Sequence, residues 1–147
     1  MGLKDQFENE DKQASIAADC AQLMDEQVAT KTGLSGLAIK TAYRAFKGIG
    51  PGYIPRVLQS LVPQALDALD PMWTEGMQSG DPVKHLSQNS SATADVLLGV
   101  TDQKLSQAKN KIVIATYKKV RKSVKGDVEE AVPGLAQILG NYANTSI

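Results

Sequence analysis

Apolar side chains recur at three- and four-residue intervals along most of the chain, and this spacing constrains the fold more than any other feature. A helix completes a turn in about 3.6 residues, so the pattern draws an apolar stripe along each helix, and stripes are stable only when buried against one another. Between Asp11 and Lys31 the stripe is Ile16, Cys20, Leu23, Met24 and Val28, and Thr32-Gly33 supplies the stop. Residues 1–11 are polar and acidic and read as an arm. Ser35 can cap a second helix to Lys47 carrying Leu37, Ala38, Ala42, Tyr43 and Phe46, which Gly48-Ile49-Gly50-Pro51-Gly52 must end.

A third stretch spans Tyr53 to Leu69, and Pro63 is expected to kink or split it. Residues 70–89 then form a connector with a short helix, holding Met72, Trp73, Met77 and Leu86. Helices are expected from Ser91 to Val100, from Asp102 to Lys125 and from Asp127 to Tyr142. Lys111 to Tyr117 is rich enough in β-branched residues for a strand, but Leu105, Ala108, Ile112, Thr116, Val120 and Val124 hold helical spacing over a longer reach, which favours helix. The fold class is therefore all-α, with about six main helices and a short connector helix in one domain over 1–147.

A chain of 147 residues buries enough surface to fold without a metal or disulfide staple. Cys20 stands alone, which excludes an internal disulfide and a paired-cysteine metal site and fits a reducing, cytoplasmic compartment. No apolar amino-terminal segment or membrane-length run is present. Sixteen basic residues balance sixteen acidic ones, so any electrostatic role is local. His85 is the sole histidine, leaving no histidine relay or histidine-rich metal site, and the glycine-rich turn at 48–52 lacks the Lys-Ser/Thr ending of a phosphate loop. No catalytic constellation, metal site or cofactor is expected.

Two patterns remain. The first is an internal similarity between 12–69 and 90–142: Ala18-Asp19-Cys20 aligns with Ala94-Asp95-Val96, Tyr43-Arg44 with Tyr117-Lys118, and Val62-Pro63 with Val132-Pro133. Two pseudo-symmetric three-helix halves would bring Asp19, Tyr43, Arg44, Asp95, Tyr117 and Lys118 toward their interface, as a ligand pocket or as a tie between halves. The second is basic. Lys104, Lys111, Lys118 and Lys125 recur every seven residues, with Arg121 and Lys122 on the same side. On one helix they form a cationic stripe about 30 Å long. The stripe is either paired internally, with Asp5, Glu8, Glu10, Asp11, Asp25 and Glu26, or simply solvated, or it meets an external anion: nucleic acid, an acidic protein or an anionic lipid surface.

Through Ala18-Asp19-Cys20, Ser35-Gly36-Leu37-Ala38-Ile39-Lys40, Pro51-Gly52-Tyr53-Ile54-Pro55 and Val128-Glu129-Glu130-Ala131-Val132-Pro133, the chain resembles a family of small bacterial proteins of unknown function, over Ala14 to Tyr142. The resemblance implies a bacterial, cytosolic protein and transfers no activity. Three functions stay open: a non-enzymatic helical module for protein interaction or self-association, a binder of an anionic partner through the basic helix 104–125, and a small-molecule binder or enzyme with its site between the halves.

Overall fold

The computed structural model describes residues 10–144, with Ser35 and Asn144 described by backbone alone. Asp5, Glu8 and most of the amino-terminal arm lie outside the described residues. Seven helices and no strand occur among the described residues: α1 Glu10–Thr30, α2 Gly33–Ile49, α3 Tyr53–Gln78, α4 Pro82–Gln88, α5 Ser90–Ser106, α6 Lys111–Arg121 and α7 Val124–Asn144. None is long and apolar enough to cross a membrane.

The stripes pack as their spacing requires. Helices α1, α3, α5 and α7 form a bundle, with α4 wedged against α3 and α7. Ile16 and Ala17 from α1, Leu66, Leu69 and Trp73 from α3, Leu86 from α4, and Ala136 and Leu139 from α7 make its core. Helices α2 and α6 pair with each other and touch the bundle less extensively, so the molecule has two layers.

The third helix runs unbroken through Pro63 and Pro71 to Gln78, so the connector shrinks to the turn before α4 and α4 itself. A proline deprives the carbonyl four residues earlier of its donor, and those carbonyls belong to Gln59 and Asp67, both exposed, where water can replace the bond. Burial of Val62, Leu66, Leu69 and Trp73 on the opposite face holds the helix together across both sites. The expected helix from Asp102 to Lys125 divides into the end of α5, all of α6 and the start of α7. Asn110 accounts for the first break, because its side chain accepts from the Ile112 and Val113 amides at 2.9 and 3.2 Å and caps a new helix there. The second helix starts at Gly33, with Thr32 at the cap position, earlier than the Ser35 reading.

Turning the chain from α3 into α4 demands a close approach. A Cβ on Gly76 would sit 2.5 Å from Pro82 Cα and 3.0 Å from His85 Cβ. The Asp81 carboxylate accepts the Lys84 amide at 3.1 Å and Pro82 opens α4, fixing it in that position. Gly76→Ala is therefore expected to push α4 away from α3 and lower stability by about 1–3 kcal/mol. Urea unfolding of the two proteins measures the difference, and equal midpoints would contradict the contact.

Candidate functional site

Each helix of the outer layer is tied to the bundle by a tyrosine, an aspartate and a cation. On α2, the Tyr43 hydroxyl donates to Asp25 of α1, and Lys47, one turn on, places Nζ 3.1 Å from the same carboxylate and 4.7 Å from the Tyr43 ring centre. On α6, the Tyr117 hydroxyl donates to Asp102 of α5 at 2.5 Å and meets Thr101 Oγ1 at 2.7 Å. Arg121, one turn on, grips both Asp102 oxygens at 2.9 and 3.1 Å. The Tyr43 hydrogen bond, then Lys47, holds the Asp25 carboxyl below the usual range, while the Arg121 hydrogen bond, then Tyr117, does so for Asp102. Burial first and the carboxylate second push the Tyr117 phenol up to about 12.

Between the layers lies a cavity of about 740 Å³. Every helix except α4 contributes to its wall, through side chains such as Leu23, Phe46, Leu61, Leu105, Val113 and Leu135. Aromatic residues make up 5% of the chain, so few side chains are large enough to bridge the gap. Cys20 lines the wall, and burial first, then Asp19, raises its thiol to about 11, which keeps it protonated and unreactive at neutral pH. Ionisable groups on the wall are otherwise few. Lys31, itself buried, reaches Glu130 and lies 3.5 Å from Asp127. Burial pulls its pKa down, but Glu130 and Asp127 together outweigh that and leave it raised. Lys104 and Lys109 also line the cavity. A smaller recess of about 330 Å³ adjoins the Tyr43 cluster, whose polar groups are engaged with each other.

The residues read from sequence as an inter-half pocket are spread over several places. Tyr117 lines the cavity, whereas Tyr43 lines the recess. Asp19 accepts from Tyr142 at 2.7 Å and Asp95 pairs with Lys125 at 3.0 Å, so neither meets the two tyrosines. Arg44 and Lys118 are exposed. Of the basic set, Arg121 and Lys125 are paired internally, Lys104 is on the cavity wall, and Lys111, Lys118 and Lys122 are exposed without an ion pair among the described residues. Sequence reasoning missed Asp25 and Asp102 as tyrosine partners. The signal was present in the repeated tyrosine followed four residues later by a cation. Among the described residues no three His, Cys, Asp or Glu side chains gather as a metal site would require.

With this geometry in place, a family model matches residues 3–143. The chain belongs to the DUF6918 family, a family of unknown function. No curated protein and no solved structure matches the chain. The DUF6918 assignment adds no chemistry to the site, and the cavity and its two polar ties are what this member offers to interpretation.

A carboxylate held below its usual pKa stabilises the fold above its unfolded pKa, and that contribution disappears as pH falls through the folded value. Asp102→Asn is expected to cost about 1 kcal/mol near neutrality, an amount set by a half-exposed bidentate pair. The gap between the variant and the parent should close at acidic pH, once the parent carboxyl is protonated. Denaturant titrations across pH measure it, and a pH-independent gap would rule out the carboxylate's charge as the cause.

Proposed function

We propose that this protein binds one small apolar molecule in the cavity between its layers and keeps it out of water without transforming it. The observation that carries this reading is the size of the space together with its aliphatic wall. Specific ligand sites occupy about 300–1,000 Å³ and are mostly apolar with a few polar groups, and this one fits that description. The space opens to the surface, and covering its apolar wall with a ligand would gain about 25 cal/mol for each Å² removed from water. Water is a poor filler, because the wall offers it few hydrogen-bond partners. The protonated Cys20 thiol leaves the wall without a ready nucleophile, which supports binding over catalysis.

Two further parts of this reading rest on separate observations. The matching ties around Tyr43 and Tyr117 support an ancestral duplication of 12–69 and 90–142. The single Cys20 supports a reducing, cytosolic setting. A second reading, protein interaction or self-association, is favoured by Leu34, Leu37 and Ile112, which are 89%, 61% and 59% exposed on the outer layer. The exposed Lys111, Lys118 and Lys122 similarly favour contact with an anionic surface.

Straight-chain alcohols of increasing length test the cavity. Each buried methylene contributes about 0.8 kcal/mol, so affinity should rise roughly fourfold per carbon until the space is filled. Ala131→Phe, which places a ring in the cavity, is expected to weaken binding about tenfold or more while leaving the melting temperature unchanged or higher. Affinity independent of chain length, or undiminished in Ala131→Phe, would overturn the reading.

A further inference from the structure

The ionisable groups of the cavity wall are unevenly matched. Asp127 is its one carboxylate, against Lys31, Lys104 and Lys109. Lys31 is already met by Asp127 and by Glu130 from outside the wall. Lys104 and Lys109 form no ion pair among the described residues. No acidic residue stands between Gln103 and Gly126, and Asp102, the nearest along the chain, is occupied by Arg121 and Tyr117. Half-buried Lys104 thus lines the wall without an ion-pair partner among the described residues, and an anion there would meet an unopposed positive charge.

The position of these lysines matters as much as their charge. Lys109 is exposed and lies in the turn between α5 and α6, beside Gln107 and Asn110, which also line the cavity. That turn is therefore where the cavity reaches the surface. Asn110 spends its side-chain oxygen on the α6 cap, and the two ammonium groups are the cationic recognition elements there. Away from the turn the wall is almost wholly aliphatic.

Building on the apolar-ligand reading, we infer that the ligand is a single-chain anionic amphiphile, its hydrocarbon tail between the layers and its carboxylate or phosphate at the α5–α6 turn between Lys104 and Lys109. The tail supplies most of the affinity and the lysines select the head group. Neutral hydrocarbons of equal length bind the same cavity less well.

Titration of the full chain with cis-parinaric acid and with its methyl ester, followed by the fluorescence of the tail at about pH 8, separates head from tail. The acid is expected to bind about fivefold more tightly than the ester. In Lys104→Gln/Lys109→Gln this preference should vanish through weaker acid binding, with ester binding unchanged. Lys84→Gln, on α4 away from the wall, should retain it. Circular dichroism checks the fold of the double variant, and Lys109→Gln alone, at an exposed turn, gives the same comparison if the pair unfolds. Displacement by oleate against oleoyl lysophosphatidate ranks carboxylate against phosphate. Acid and ester binding equally well in the parent would overturn the head-group assignment while leaving the cavity reading intact, as would a preference retained in the double variant. Binding of neither probe would overturn both.

Discussion

Asp25 and Asp102 each join one helix of the outer layer to the bundle. Helices α2 and α6 pack less extensively against the bundle than its own helices do against one another. Each aspartate receives a tyrosine hydroxyl and a cation one turn apart, and a hydrogen-bonded pair of that kind has a fixed geometry where an apolar contact has none. The ties lie on α1 and α5, both part of the bundle, so the rigid layer sets the position of the looser one. The separation between layers follows from the reach of those side chains.

The composition then determines that the separation is not filled. Leu, Ile, Val and Ala suit a bundle in which helices interlock closely, as they do around Leu66, Leu69 and Leu86. Where the tyrosine ties hold α2 and α6 apart from that bundle, the same side chains are too short to meet. Phe46, Tyr53 and Tyr117 are the aromatic residues on the wall, and they do not close the gap.

The sequence shows which residues are buried far better than it shows what they enclose. Apolar periodicity located the helices, and Gly33, with φ at 75°, marks the stop expected at Thr32-Gly33. Pro63 misled because the cost of a proline is local while the burial that offsets it comes from other helices. Asn110 was readable as a cap before Ile112-Val113-Ile114, but the heptad spacing of lysines suggested continuity across it. Tyr43 and Tyr117 stood out through internal similarity, yet their carboxylates come from different helices at sequence separations that no pattern specifies. A cavity leaves still less trace, since Leu61 or Leu105 facing a void has the same spacing as a leucine facing a neighbour.

Tyr117 links the two features on which function would depend. It is on the cavity wall and its hydroxyl belongs to the Asp102 tie, so whatever occupies the space touches a side chain that holds the outer layer in place. A ligand that binds only the folded state adds stability in proportion to the logarithm of its concentration. Here that added stability acts on the layer with the least packing of its own. A bound apolar ligand would add contact across the gap beside the buried side chains Tyr43, Val113 and Val120 and the polar ties. On the proposed reading, occupancy would join this pair of helices to the bundle core through apolar contact.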